Sequence, residues 1–223
     1  FVPTHNSALS APVGLYMLCA DGEYGAEVYC GATSEKQALE VFRPARDMAR
    51  GRPDLIERFG IGVHASNIHV ESTASRFEPI IGKPGDGSSP HCSIVDEFHE
   101  HDTSELWDTM LTGMGARDQP MMWGITTAGT NLAGPCFDHV LSGRKLLEGL
   151  IDDEERFYLE YSIDDDDDWT SPEALRKANP NMGVSVLEDF LLARQRDAIR
   201  NPRDQAIFKT KHLNVCLLYT SDA

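Results

Sequence analysis

The chain has 223 residues, 41% of them hydrophobic, and a formal net charge of −16 from 36 acids against 20 Lys plus Arg. That length buries one sizeable core and allows the start of a second. There is no apolar run of the ~20 residues that a bilayer span needs, and the opening does not read as a signal peptide. The five scattered cysteines form no Cys-x-x-Cys pair, which argues against a zinc ribbon or disulfide framework and for a reducing setting. Residues 1–150 carry 20 acids and 11 basic residues, and residues 151–223 carry 16 and 9. Composition therefore speaks against a broad duplex-binding face, although a local basic patch remains compatible with it.

Ser7 to Ala20 has approximate helical spacing in Leu9, Val13, Tyr16 and Met17, despite Pro12. Glu27–Ala32 follows as a strand. Thr33-Ser34 then opens a helix, with Ser34 as N-cap, Gln37 as the third residue of a capping box, and Leu39, Phe42 and Ala45 facing inward with Met48 near by. Gly51–Pro53 breaks that helix. Short strands are expected around Asn67–Glu71 and Phe77–Ile81. The Pro-Gly-Asp-Gly run at Pro84–Gly87 is turn chemistry and precedes no helix.

The central stretch runs from His91 to Asn131. Ser93-Ile94-Val95 is an apolar strand that ends in Asp96-Glu97. An Asp at a strand tip can hold magnesium through water, and the neighbouring Glu can orient or deprotonate an attacking water. His99-Glu-His101 places its two imidazoles two residues apart, which does not suit a helical metal pair, so a polar turn is expected. Ser104–Met114 reads as a helix and Arg117 lies in the turn beyond it, where it could stabilise charge or pair with an acid, with Arg76 and Arg46 as rivals for the first role. Met121-Met-Trp-Gly-Ile125 is a second strand, tipped by Thr126-Thr127-Ala128-Gly129. In open parallel sheets, ligands bind at such carboxyl ends.

Further on, Phe137–Gly149 is amphipathic and Phe157–Ile163 alternates like a strand. Asp164–Asp168 is a contiguous acidic run, and such runs form solvated loops more readily than two-metal clamps. Pro172–Ala178 and Glu188–Ile199 read as helices, the second with Phe190, Leu191, Ala198 and Ile199 as apolar contacts.

The separated motifs Ser93–Asp102, Leu111–Pro120, Ile125–Thr130 and Lys177-Ala-Asn-Pro-Asn-Met-Gly183, together with Ala32–Ala38, resemble the large terminase subunit of tailed bacteriophages, from about Ala8 to Val215. The resemblance implies an α/β fold, a P-loop NTPase of the ASCE type with a mainly parallel sheet flanked by helices. It implies a DNA-packaging ATPase that uses ATP and Mg2+. Asp96-Glu97 would be the Walker B pair, with Asp96 positioning magnesium and Glu97 activating water, while Thr126-Thr127 would form the coupling motif. Ser7 falls where the magnesium-binding Ser or Thr of the phosphate loop belongs, but His5-Asn6 stand where Gly-Lys would be. The fold is thus expected to be truncated at its phosphate loop, which also leaves open a non-catalytic binding fragment or another helicase-like ATPase. Implied partners are double-stranded viral DNA, the portal protein, the small terminase subunit and further copies in a ring, in the host cytoplasm. The expected organisation is a motor part over 1–150, a linker over 151–215 toward a nuclease domain, and a non-native tail over 216–223 that resembles translated adapter sequence.

Overall fold

Every residue of strand β1 (Glu27–Ala32) after its first is buried, because the strand is paired on both edges. It runs parallel to β4 (Ser75–Ile81) on one side and to β5 (Cys92–Val95) on the other, with Gly31 opposite Ile80 and Val95. Strand β6 (Met121–Gly124) continues the parallel set beyond β5. On the far side, β2 (Ile61–Val63) and β3 (Ile68–Val70) add antiparallel to β4, giving the order β2-β3-β4-β1-β5-β6. The structure is a computed structural model that describes residues 5–81, 87–129 and 131–216, with side chains from Leu9 onward. The chain divides into two units, residues 4–126 around this sheet and residues 127 onward.

Two helices cover one face of the sheet, α1 (His5–Cys19) and α2 (Glu35–Arg50). Gly14 lets α1 lie close, since a Cβ there would meet the Phe77 ring at 2.8 Å. Phe77 in turn meets Phe42 of α2 edge-on at 5.8 Å. Side chains alternate along a strand, so neighbours in β1 serve opposite faces. The Cys30 thiol points to the Ala38 carbonyl of α2 at 3.3 Å, whereas a Cβ on Gly31 would meet Leu106 of α4 (Glu105–Gly113) at 2.8 Å. Helix α4 therefore packs on the opposite face.

Ser34 is the N-cap of α2, as expected. Ser34 Oγ accepts from the Gln37 amide and donates to Gln37 Oε1 at 2.9 Å. Its buried face is Ala38, Val41, Phe42, Ala45 and Ala49, which leaves Leu39 at the margin and Met48 exposed. Gly51 ends the helix as expected, but the chain turns at once into a further helix, α3 (Pro53–Phe59). A Pro at the first helical position starts a helix as readily as it stops one.

The second unit contains α5 (Pro135–Leu147), α6 (Pro172–Ala178), α7 (Glu188–Arg200) and α8 (Pro202–His212). Leu175, Leu191, Ala198, Phe208 and Leu213 form its core. Of the four apolar contacts expected on α7, Leu191 and Ala198 are buried while Phe190 and Ile199 stay largely exposed. The buried Gln195 amide is satisfied by the carbonyls of Trp169 and Ser171 at 2.9 and 2.8 Å. Residues 157–163 are extended but form no strand, which departs from their alternating pattern. Phe157 and Leu159 lie open to solvent. The acidic run at 164–168 is a loop, with Lys177 bridging Asp164 and Asp167 and Asp168 capping the Thr170 amide. Leu217–Ala223, most of the expected tail, lie outside the described residues.

Candidate functional site

β5 and β6 run in parallel and in register, Val95 against Gly124, so their carboxyl ends emerge side by side. The Ile125 amide donates to the Val95 carbonyl at 2.8 Å and extends that pairing by one step. Asp96, which follows Val95, and Thr126, which follows Ile125, are therefore delivered to the same carboxyl end of the sheet.

Asp96 is buried, 6% exposed, and its Oδ1 accepts the Glu97 amide at 3.0 Å. Glu97 sits at φ 49°, ψ 48°, the left-handed region. For a residue with a Cβ this costs about 1–2 kcal/mol, and such conformations cluster at functional sites. A short 3-10 turn, Phe98–Glu100, follows and is stitched to the end of β6. The Phe98 amide donates to the Ile125 carbonyl at 3.1 Å, and the His99 amide donates to Thr126 Oγ1 at 3.0 Å. The turn is anchored from behind by the Phe98 ring, which is buried and lies 4.9 Å from Trp107 of α4.

The imidazole of His99 joins these groups. Its Nδ1 is 3.0 Å from Thr126 Oγ1 and 3.3 Å from Glu97 Oε2, and its side chain is 9% exposed. Glu100 continues the network by accepting from the side-chain amide of Gln37, whose own Oε1 is held by Thr33 and Ser34 at the tip of β1. The expected polar turn is thus an ordered one. Nothing in the spacing Asp-Glu-x-His shows that the imidazole meets a hydroxyl 27 residues away, so His99 was not legible as a site residue. Its only signal is its position in the turn that follows the two acids.

A cleft of about 270 Å³ opens beside this turn, lined by Ala32, Thr33, Glu100, His101, Asp102 and Leu106 among others. It falls below the ~300–1,000 Å³ of ordinary small-molecule pockets and does not by itself enclose a nucleotide. Among the described residues, no group of three or more His, Cys, Asp or Glu could hold a metal. Magnesium keeps most of its water and takes one or two carboxylates together with phosphate oxygens. Asp96, a single buried carboxylate at a strand tip, fits that demand. Ser7 lies in α1, but its side chain is outside those described. Thr127 belongs to the second unit, and its hydroxyl is buried.

Arg117 is not brought to this end. Its guanidinium donates to the Ser89 carbonyl at 2.9 and 2.6 Å, to the Tyr24 and Gly25 carbonyls at 3.3 and 2.9 Å, and to Glu23 at 2.9 Å. These partners precede β1 and β5, so Arg117 sits at the amino ends of the parallel strands, about 13 Å of strand from Asp96. Of the two roles open to Arg117, the structure shows the pairing with an acid, Glu23, beside its carbonyl contacts. Of its rivals, Arg76 is held by Glu27 and Tyr29, and Arg46 by its neighbour Asp47. Burial pushes the Cys92 thiol up to about 12 and the Cys19 thiol up to about 11, which disfavours a thiolate at either.

The family model described as "Terminase large subunit, ATPase domain" matches residues 5–144. Protein YmfN of Escherichia coli (strain K12) is 56% identical over 133 residues, which is 60% of this chain and 29% of that protein. The HK97 bacteriophage large terminase, known from a crystal structure, superposes with a TM-score of 0.83 at 23% identity, over 96% of this chain and 44% of that one. The chain thus spans less than half the length of either relative.

Proposed function

The chain belongs to the terminase large subunit ATPase-domain family, and from that premise we propose that it is the ATPase motor part of a large terminase that drives viral double-stranded DNA into a capsid. The observation that carries this reading is the convergence of Asp96, Glu97 and Thr126 at adjacent carboxyl ends of β5 and β6. Cutting of DNA belongs, in this reading, to a nuclease domain beyond residue 215. The portal protein, the small terminase subunit and further copies in a ring are the proposed partners, in the host cytoplasm.

Magnesium bound with ATP would screen the phosphate charge and stabilise ADP as it leaves the γ-phosphoryl group. The protein's own part is then positional. Asp96, fixed by its burial and by the Glu97 amide, holds the metal's water shell. Glu97 orients the attacking water and takes its proton. Thr126 and Thr127, at the strand exit, report on the phosphate and pass that state to the rest of the protein. Ser7, near the start of α1, would add a hydroxyl to the metal.

In this reading a phosphate-loop lysine stands just ahead of the helix that carries Ser7. The native locus is therefore expected to encode a Gly-rich loop ending in Gly-Lys-Ser or Gly-Lys-Thr and joined near Ser7, because loop amides and a lysine form the phosphate cradle in this class. Sequencing that locus tests the reading. A start codon close to Phe1 with no such loop would overturn it.

A further inference from the structure

Resting on the reading of Glu97 as the group that orients water, we infer that His99 is a positioning residue that aims the Glu97 carboxylate and couples that aim to Thr126. A carboxylate only accepts, so the Glu97 Oε2 at 3.3 Å from Nδ1 calls for a proton on that nitrogen. Thr126 Oγ1, at 3.0 Å, can accept from the same N–H. The Nδ1–H tautomer lets one N–H face both neighbours, and the Nε2–H tautomer would set a lone pair against the Glu97 carboxylate; on the other side of the ring Nε2 lies 4.0 Å from Glu100 Oε1, beyond hydrogen-bond reach, so the nearer carboxylate decides.

The surroundings explain why such a tether matters. The Glu97 backbone is fixed by Asp96 Oδ1 below and by the Glu100 amide, which donates to the Glu97 carbonyl at 2.8 Å. The side chain itself is 38% exposed, so torsions within it are what a tether must restrict. The imidazole is well suited to that, being 9% exposed and held in the 3-10 turn. Thr126 Oγ1 contacts both the His99 amide and the His99 ring, each at 3.0 Å. A displacement of that hydroxyl therefore moves the backbone and the ring together, and the ring carries the Glu97 carboxylate with it. The strand tip proposed to sense the phosphate and the carboxylate proposed to act on water are linked through one imidazole.

The test uses the full-length protein encoded at the native locus. His99→Ala is expected to lower kcat by about tenfold or more, with KM for ATP and magnesium–ATP affinity changed by less than about twofold, since an aim is lost and a binding contact is not. His99→Asn, which keeps a donor near the Nδ1 position, is expected to recover most of that loss. His99→Phe, which keeps a ring and no donor, is expected not to. Thermal melts accompany each variant, and if His99→Ala does not fold, the Asn and Phe comparison decides. A readout independent of turnover is histidine 15N NMR on the nucleotide-free protein, where His99 is expected as the Nδ1–H tautomer. Coupling to Thr126 is read from a double-mutant cycle with Thr126→Val, expected to be clearly non-additive. Recovery by Phe, an Nε2–H tautomer, or unchanged or raised turnover in His99→Ala would each overturn the inference. If Glu97→Gln leaves turnover intact, the underlying reading fails. If Glu97→Gln is inactive while His99→Ala is not impaired, only the inference about His99 fails.

Discussion

Glu97→Gln is expected to reduce ATP turnover by the full-length protein by about two to four orders of magnitude while sparing magnesium–ATP binding. Gln is close to Glu in size, so the left-handed backbone at position 97 and the amide bond to Asp96 Oδ1 should survive. What the change removes is the charge that attracts and deprotonates water. Asp96→Asn should behave differently. Asp96 is buried at 6% exposure behind the strand tip, and losing its charge weakens both the magnesium-dependent affinity and the rate. Steady-state turnover and nucleotide affinity measured with magnesium on each variant separate the two roles. Near wild-type turnover in Glu97→Gln would remove Glu97 from the mechanism.

Arg117→Ala is the second large effect expected, and it falls on stability. Arg117 and Glu23 are mostly buried, at 11% and 19% side-chain exposure. Truncation would leave that carboxylate unpaired and the carbonyls of Gly25 and Ser89 without their shared donor. Breaking a mostly buried pair of this kind costs about 2–4 kcal/mol, which in a domain of this size lowers the melting temperature by roughly 5–15 °C. Arg117→Lys should recover only part of the loss, because a single ammonium cannot reproduce the planar fork. A melt of Arg117→Ala that matches the wild type, accompanied by a fall in turnover, would support the charge-stabilising role instead.

The strands that carry the site were readable because their chemistry is local. Ile94-Val95 followed by two acids, and Met121–Ile125 followed by two hydroxyls, each show an apolar run ending in groups that do not belong in a core. The helix end at Ser34 was similarly plain, and that serine caps as its position suggests. Helices α3 and α8 were harder to see because Pro53 and Pro202 look like breaks, although both stand at the first helical turn. The inner face of α2 was misplaced toward Leu39 and Met48 because Ala38 and Ala49, which pack fully, carry little hydrophobic weight. Residues 157–163 show the limit of periodicity, which marks alternating faces but not whether a neighbouring strand is there to pair. The bonds of His99 to Thr126 and of Arg117 to the carbonyls before β1 depend on contacts 27 and more than 90 residues apart. Spacing within one short window carries no trace of them.

The most direct test of the hydrolytic site is a structure of the full-length protein with magnesium and a non-hydrolysable ATP analogue. The account predicts the metal at the carboxyl end of β5, reaching the Asp96 carboxylate through one of its waters. It also predicts Glu97 turned toward the γ-phosphate and Thr126 beside it. A triphosphate and metal bound away from the ends of β5 and β6, with Asp96 and Glu97 facing neither, would contradict it.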